Sequence, residues 1–419
     1  MNYDFIITIL DEHNESSILL AEKLKPKEII YLYKKDEELK VLNSLRQFYL
    51  NKFPNCNFSD EKLGKDTISS IEEIIKRMKS KNTAICLNQG NKKDILIMYT
   101  LALKHNIDGF FLDIPKEELL KLNLESVQCE KCNFVDLDVE DIIDSIGASI
   151  VVDSTEISEI NIIENMTNYI ASNLDLWKKY KIRLSDNSVF IHDESNPRSI
   201  KIDKELLSRE EVMLLDKILN FLEKNGQIKV KELEQCLKVT FQNEFIKGFI
   251  FKSGTWLEVL TKNIIEEIKS IDDIKSGVLF LWNDKESRVK NELDVVAIKD
   301  SVLICVSCKD SKKYDEVALN ELNVYSEQLG GENVIKILVA THPPIKSSIS
   351  KRAKEMGINL VVFDGNKKAF KEELEKKLYE EYQEVLVSNN EDRIEELADM
   401  LEVMISLAKL ENKTLEDII

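Results

Sequence analysis

Short apolar runs alternate with helix-like stretches over roughly the first 150 residues, and this alternation constrains the fold more than any other feature of the chain. The runs DFIITIL, EIIYLY, TAICLN and GFFLD are separated by stretches such as KKDILIMYTLALKH, whose apolar residues recur at helical spacing. Strands and helices in alternation build a parallel sheet, because a parallel pair needs a long crossover. The sequence therefore predicts an α/β domain with a doubly wound, Rossmann-like parallel sheet over residues 1–152.

Two polar loops follow strands of this predicted sheet, at the edge where open α/β sheets bind ligands. The first loop, residues 11–16, contains Asn14. The second enters a helix, so its backbone amides, the helix dipole and a lysine pair are placed to face a phosphate. Its candidate binding residues are Asn88, Gln89, Gly90, Asn91, Lys92 and Lys93. A polar strand-to-helix turn with two exposed lysines is the alternative interpretation.

The segment NELDVVAIKDSVLICVSCKD places Asp294 and Lys309 on two neighbouring apolar runs. Two short strands joined at residues 299–301 would bring these side chains together. Such a carboxylate holds a divalent metal against a phosphodiester, while the ammonium orients the attacking water and offsets negative charge in the transition state. The alternative is an ordinary cross-strand ion pair.

Upstream, a Gly254 turn leads into an apolar-periodic helix with Glu258 in its first turn. The order of helix Glu, strand Asp and x-Lys resembles the PD-(D/E)xK nuclease superfamily over roughly residues 241–365. The resemblance implies a restriction-endonuclease-like mixed sheet and a site for Mg²⁺ or Mn²⁺. It makes Asp294 a metal ligand, Lys309 the catalytic lysine, and Glu258 a further acidic ligand or a partner of metal-bound water.

One position departs from the family pattern. The family usually has Glu or Asp two residues before the lysine, whereas this chain has Ser307, a weaker metal ligand than a carboxylate. Glu292 lies two residues before Asp294 and shares its strand face, so it is a candidate auxiliary ligand. Looser metal binding is the expected consequence.

Beside a nuclease, the loop at residues 88–93 resembles that of CARF domains, the CRISPR-associated Rossmann folds that sense cyclic oligoadenylates. It is one residue shorter than their Asn-x-Thr-Gly-Gly-Thr-Lys-like loop and lacks the double glycine. The order of sensor, connector and nuclease resembles the ancillary effectors of type III CRISPR systems. The resemblance implies a homodimer that is activated by a cyclic oligoadenylate, with cyclic tetra-adenylate as the expected ring, and that cleaves single-stranded DNA or RNA.

Residues 153–240 read as a small connector. A hairpin is expected over SVFIHDESNPRSIKID, and a helix begins at the capping box formed by Ser208 and Glu211. A winged-helix-like module fits this pattern, and a plain spacer between domains is the stronger interpretation.

Residues 366–419 are predicted to form an α-helical hairpin of two amphipathic helices. Each helix carries a carboxylate pair at i,i+3, and facing pairs would form a magnesium site. The pairs are Glu381 with Glu384 and Glu396 with Asp399. The segment resembles MazG-like nucleotide pyrophosphatases, and a helical dimerisation or packing hairpin is the favoured alternative.

Composition sets further limits. The 419-residue chain has a net charge of −18, which argues against broad, static binding to duplex DNA. Its seven cysteines lack disulfide-framework spacing, and no apolar run is long enough to span a membrane, so a cytoplasmic protein is expected. Two rival functions stay open: a ligand-responsive protein with a decayed nuclease fold, and a nucleoside triphosphate pyrophosphatase.

Overall fold

The computed structural model describes residues 3–158, 160–184, 186–234, 236–251, 254–282, 290–312 and 314–387, with the backbone alone for 157, 158, 332 and 379–387. Within this part of the chain the strands form a seven-stranded, a four-stranded and a six-stranded sheet. The predicted class, a multidomain α/β protein, is confirmed.

The front of the chain forms the seven-stranded sheet with strand order β3-β2-β1-β4-β5-β6-β7. Its elements are β1 (Phe5–Ile9), α1 (Glu15–Leu24), β2 (Glu28–Tyr33), α2 (Leu39–Lys52), β3 (Asn57–Lys62), α3 (Thr67–Met78), β4 (Thr83–Cys86), α4 (Lys92–Lys104), β5 (Asp108–Asp113), β6 (Glu118–Leu122), β7 (Val127–Lys131) and α5 (Val139–Ser145), followed by β8 (Ala148–Val152). β1 to β5 are parallel, and the β6–β7 hairpin adds two antiparallel strands.

The four predicted apolar strands correspond to β1, β2, β4 and β5. β1, β2 and β4 are buried on both faces, which is why they read as continuous apolar runs, whereas Phe111 of β5 is exposed. β3 has the polar sequence NFSDEK and lies at the edge of the sheet, where one side of the strand stays open to solvent. Its sequence therefore carries no apolar signal, and the parallel pairing with β2 comes from the tertiary fold.

The connector follows with α6 (Thr155–Ser158), α7 (Asn161–Ser172), α8 (Leu174–Leu184), β9 (Phe190–His192), β10 (Ser199–Ile202), α9 (Arg209–Lys224), β11 (Ile228–Glu232) and β12 (Leu237–Phe241). Its strands form an antiparallel sheet of order β11-β12-β10-β9. The capping box at α9 is confirmed, because the Ser208 hydroxyl accepts from the Glu211 amide and the Glu211 carboxylate accepts from the Ser208 amide.

The third unit contains α10 (Glu244–Phe251), α11 (Thr255–Glu266), β13 (Asp273–Trp282), β14 (Lys290–Lys299), β15 (Val302–Lys309), α12 (Glu316–Gly330), β16 (Ile335–Ala340), α13 (Ser347–Glu355), β17 (Ile358–Val362) and α14 (Lys367–Val387). Its mixed sheet has the order β17-β16-β15-β14-β13-β8, with β15, β16 and β17 parallel and the other neighbours antiparallel. The mixed sheet agrees with the architecture that the nuclease resemblance implies.

β8 lies at the edge of the six-stranded sheet, paired antiparallel with β13. The front of the chain thus supplies an edge strand to the third unit before the connector begins. The boundary expected at residue 152 falls at the end of this strand.

Two different hydrophobic cores cover the two faces of the six-stranded sheet. Val295 and Val306 belong to the core that includes α8, α9 and α11, whereas Val296 and Cys305 belong to the core of the front domain. Alternate residues of a strand point to opposite faces, so each domain contacts β14 and β15 through every second residue.

No helix among the described residues is long and apolar enough to cross a membrane. The predicted C-terminal hairpin is described only as far as α14. Glu381 and Glu384 lie where the backbone alone is described, and Glu396 and Asp399 lie outside the described residues. The pyrophosphatase-like site stays a prediction.

Candidate active site

The paired strands β14 and β15 bring the predicted acid–lysine motif together. They meet at a tight turn in which Asp300 and Ser301 have positive φ (50° and 62°), as a two-residue hairpin turn requires. The register pairs Val295 with Val306. Beyond this pair the side chain of Asp294 joins β14 to β15. Its Oδ2 accepts from the Cys308 amide at 2.6 Å and from the Ser307 hydroxyl at 3.1 Å.

Glu258 joins this site from the first turn of α11, as the sequence predicts. Gly254 precedes the helix at φ 132°, a conformation that favours glycine. Burial raises the pKa of Glu258 to about 8, and the negative charges of Asp294 and Glu292 add to the increase, whereas Lys309 opposes it. Helix α11 and the end of the strand pair therefore place three acids and the lysine within electrostatic reach of one another.

These residues suit a divalent cation. Glu258 is buried beside two further carboxylates, and Lys309 does not cancel their effect on its pKa, so a bound Mg²⁺ or Mn²⁺ would supply the missing positive charge. Both hydrogen bonds that the described residues make to Asp294 end on Oδ2. Asp294 and Glu258 are the residues that would hold such a cation.

The three predicted acidic ligands do not form a compact group in this structure. Among the described residues, three carboxylates with oxygens all within 4.8 Å of one another occur only at Asp136, Asp272 and Asp300. Glu292 is exposed on β14, two residues or about 7 Å from Asp294. This cluster of three aspartates lies at the hairpin turn. Its Asp300 is six residues, or roughly 20 Å along the strand, from Asp294, so the cluster is remote from Lys309.

Asp310 directly follows Lys309. Its side chain is almost fully buried and holds the end of β15 in place. Its Oδ2 accepts from two indole nitrogens, Trp177 Nε1 at 2.9 Å and Trp256 Nε1 at 2.8 Å. Its Oδ1 accepts from Lys181 Nζ at 2.5 Å and from the Thr341 hydroxyl at 2.7 Å. Helices α8 and α11 and the end of β16 are thus joined at the residue next to the candidate catalytic lysine.

The charge of Asp310 is well compensated. Burial alone would raise the pKa of this carboxyl, but the Lys181 ammonium and the hydrogen bonds from Lys181, Trp177 and Thr341 hold it below the usual value. Asp310 is not among the site residues that the sequence predicts. The Lys309-Asp310 dipeptide was the available signal, but the partners of Asp310 lie on three other elements.

In the front domain, several of the predicted binding residues of the 88–93 loop make hydrogen bonds within the protein that hold the loop in place. The Asn88 amide exchanges two hydrogen bonds with the backbone of Leu112, at 2.7 and 2.8 Å, and so extends the β4–β5 ladder. Gln89 is buried and accepts from the Thr8 hydroxyl at 2.8 Å, and Asn91 caps α4 through the Asp94 amide at 3.0 Å. The exposed groups are Asn91 and the first-turn lysines Lys92 and Lys93.

The two front loops are joined to each other. The Gly90 amide donates to Asp11 Oδ2 at 2.6 Å. Asn14 is fully buried and donates to the carbonyls of Asp11 at 2.9 Å and Ser145 at 3.2 Å. The Asn14 side chain therefore fixes the first loop to the end of α5.

A comparison with protein families bears on the region that contains Glu258, Asp294 and Lys309. Residues 247–380 match the family model of the Card1-like endonuclease domain. This Card1-like segment begins in α10, includes all of β13 to β17, and ends in α14. Comparison with curated proteins gives no significant match.

Solved structures resemble the chain over most of its length. Protein VC1899 from Vibrio cholerae has a TM-score of 0.68 at 20% identity, covering 90% of this chain and 98% of that one. Can2 from Sulfobacillus thermosulfidooxidans, solved with cyclic tetra-adenylate, has a TM-score of 0.64 at 15% identity, with 89% and 97% covered. A type III CRISPR defence DNA nuclease activated by cyclic oligoadenylate has a TM-score of 0.50 at 14% identity, with 83% and 48% covered. At these identities the likeness concerns the fold.

The raised pKa of Glu258 predicts a pH-dependent stability in metal-free buffer. The folded protein keeps the proton up to about pH 8, whereas an ordinary glutamate loses it near 4.5. The folded state binds more protons in this interval, so stability falls as the pH rises from about 5 to 8. Glu258→Gln should become more stable relative to wild type at pH 8.5 than at pH 6, measured by urea unfolding with EDTA.

Glu210→Gln is the control for that experiment, because Glu210 is exposed on α9. It should show no such difference. Addition of Mn²⁺ should stabilise wild type more at pH 8.5 than at pH 6, since the metal competes with the Glu258 proton. Equal pH profiles for wild type and Glu258→Gln would contradict the assignment.

Gly90→Ala should destabilise the front domain. Gly90 has φ 103°, and a Cβ there would lie 2.7 Å from Ile9 Cγ2 in β1. Gly226→Ala is a matched control, because it has φ 70° but meets nothing within 4 Å. Strain of about 1–3 kcal/mol applies to both, and the contact with Ile9 adds to it only at Gly90. Urea midpoints should therefore fall further for Gly90→Ala, and equal losses would contradict the close contact.

Proposed function

We propose that this chain is a metal-dependent nuclease of type III CRISPR defence that is activated by a cyclic oligoadenylate. The observation that carries the proposal is the meeting of Glu258, Asp294 and Lys309 at one end of the β14–β15 pair, inside the Card1-like segment. The front domain with its two joined loops supports the activation, since Can2, which shares the fold, was solved with cyclic tetra-adenylate.

Each residue has a defined task in this proposal. Asp294 and Glu258 hold Mg²⁺ or Mn²⁺, with Glu292 entering as an auxiliary ligand. When held there, such a metal would supply a water of lowered pKa and would stabilise negative charge at the phosphorus. Lys309 orients the attacking water and offsets charge on the scissile phosphate.

Ser307 distinguishes this site from a nuclease with two strand carboxylates. Its hydroxyl donates to Asp294 Oδ2 and so orients that carboxylate without adding negative charge. Metal affinity is then set by Asp294 and Glu258, and we expect a requirement for higher metal concentrations. The rival is a decayed nuclease fold that responds to ligand without cleavage.

The activator would bind at the joined loops of the front domain, near Asn91, Lys92 and Lys93. The loop after β1 also reaches the Card1-like segment: a Cβ at Gly331, just after α12, would lie 3.2 Å from the ring of His13. This close approach would connect the loops that bind the cyclic oligoadenylate to the six-stranded sheet. Activation requires that the ring bind the active arrangement more tightly than the inactive one.

A near-symmetric ring between two front domains implies a homodimer with twofold symmetry. Light scattering should then give a mass of two chains, and cyclic tetra-adenylate should bind at one ring per dimer.

The test is incubation of the full chain with Mn²⁺, single-stranded DNA or RNA, and each cyclic oligoadenylate in turn. Cleavage that needs both the metal and one ring size supports the proposal. Binding of a ring without cleavage of either nucleic acid favours the decayed fold. Absence of both ring binding and cleavage overturns the proposal.

A further inference from the structure

The outward face of the four-stranded sheet carries a row of three lysines in register. Lys201 on β10 is opposite Lys238 on β12, which is opposite Lys231 on β11. Directly opposed residues share a sheet face, and neighbouring strands lie about 4.8 Å apart, so the row is roughly 10 Å long. The intervening Ile200 and Val239 are fully buried on the other face.

Like charges that are directly opposed destabilise a sheet. Among the described residues, none of the three lysines forms an ion pair with a carboxylate. Lys238 acts electrostatically on Asp193, but that carboxylate accepts from the amide and hydroxyl of Ser195, at 3.0 and 2.6 Å. Asp193 therefore offsets part of the charge of Lys238, but the row as a whole keeps an excess of positive charge on a chain of net charge −18.

The neighbouring part of the same face is also polar. Ser199 and Thr240 pair across β10 and β12 with their hydroxyls 3.2 Å apart, and Lys229 is opposite Thr240. A cavity of about 340 Å³ adjoins them. It is lined by Asn196, Arg198, Lys229, Thr240, Phe241 and Gln242. Ser199 is fully buried, so the groups that extend from the lysine row into this concave surface are Lys229, Arg198 and the Thr240 hydroxyl.

The residue types on this face select the partner. The described strand residues that point outward include no aromatic ring, and their exposed apolar member is Ile191, opposite Lys201 on β9. The face therefore offers charge and a hydroxyl without stacking platforms for bases. Lysine and hydroxyl contacts go mainly to phosphate oxygens and carry no sequence preference. We propose that the row of Lys201, Lys238 and Lys231 binds the phosphodiester backbone of the single-stranded nucleic acid that the site cleaves.

This inference rests on the proposed nuclease function, and the fold connects the two surfaces. β12 leads through α10 to α11, which carries Glu258. Lys247 on α10 donates to the carbonyls of Pro197 and Ser199, the second at 3.3 Å, and so fixes α10 to the start of β10. The lysine face is therefore anchored directly ahead of the helix that enters the candidate active site.

The test uses the full chain with Lys201, Lys231 and Lys238 all replaced by Gln. A labelled single-stranded oligonucleotide of mixed sequence is titrated in EDTA over a range of salt concentrations, with and without cyclic tetra-adenylate. The matched control replaces three exposed lysines of the front domain by Gln, namely Lys65, Lys79 and Lys104. A third variant replaces the three row lysines by Arg and keeps the charge.

We expect the row variant to bind at least about tenfold more weakly. Its slope of log K against log salt should be smaller by about 2, since each lost phosphate contact on a single strand removes about 0.7. The control and the Arg variant should bind like wild type. Wild-type binding by the row variant, an equal loss in the control, or no binding by wild type overturns the inference.

The two proposals fail separately, because binding is measured in EDTA and cleavage in Mn²⁺. If the row variant binds like wild type and cleavage depends on the activator, the lysine row is not the binding surface but the nuclease proposal holds. If the salt slope depends on the row but wild type cleaves under no condition, the lysine row binds nucleic acid and the nuclease proposal fails. Unfolding of each variant in urea shows that the fold is retained.

Discussion

Replacement of Lys309 or Asp294 by alanine is expected to abolish metal-dependent cleavage while leaving the binding of a cyclic oligoadenylate unchanged. In the proposed mechanism Asp294 is a metal ligand and Lys309 offsets charge that develops at the phosphate. The loss of one such electrostatic group typically costs about 10²–10³-fold in rate. Initial cleavage rates with Mn²⁺ and saturating activator measure the first effect, and calorimetric titration with cyclic tetra-adenylate measures the second.

Lys351→Ala is the control for this pair, because Lys351 is an exposed lysine of α13 in the same segment. It should cleave at the wild-type rate. Full activity in both Lys309→Ala and Asp294→Ala would remove the site assignment, even if the protein is a nuclease. Loss of ring binding in the same variants would show that the substitutions disturb the whole fold.

Asp310→Asn is expected to destabilise the protein strongly, although it changes no volume. One oxygen of Asp310 accepts from two tryptophans and the other from Lys181 and Thr341, so both must be acceptors. An asparagine turns one of them into a donor and leaves the Lys181 ammonium without its charge partner. Breaking a buried pair of this kind costs about 3–5 kcal/mol, which urea unfolding measures.

Asp315→Asn provides the comparison five residues away. Asp315 is exposed and caps α12 through the Val317 amide at 3.0 Å, a role that asparagine fills equally well. Its unfolding midpoint should be that of wild type. The Asp310→Asn variant should also cleave more slowly below its unfolding transition, because the end of β15 that carries Lys309 is no longer fixed. Wild-type stability in Asp310→Asn would contradict the network.

The parts of the site that follow from strand periodicity could be predicted from the sequence. The spacing of two apolar runs around residues 299–301 places Asp294 beside the Ser307–Lys309 segment, and the register of β14 and β15 confirms this pairing. Glu258 could be assigned to the first turn of a helix because Gly254 and the apolar period mark where that helix begins. These signals are local or lie on adjacent strands.

The parts that depend on distant contacts could not be predicted. Asp310 bonds to Trp177, 133 positions away, and to Trp256, 54 positions away, and no sequence pattern connects them. Asn88 looks like a ligand-binding amide in sequence, but the pairing of β4 with β5 brings Leu112 beside it. Burial decides both cases, because a buried polar side chain must find its partners within the protein.

The position of β8 decides how this protein can be divided for separate study. A fragment that stops at residue 152 would carry β8 away from β13 and leave that strand with an open edge, which invites association with other chains. A fragment that begins at residue 148 keeps the edge covered, and a front fragment that ends after α5 loses no strand of its own sheet. The practical cut therefore lies at residues 146–147, where Gly147 adopts a φ of 79° between α5 and β8.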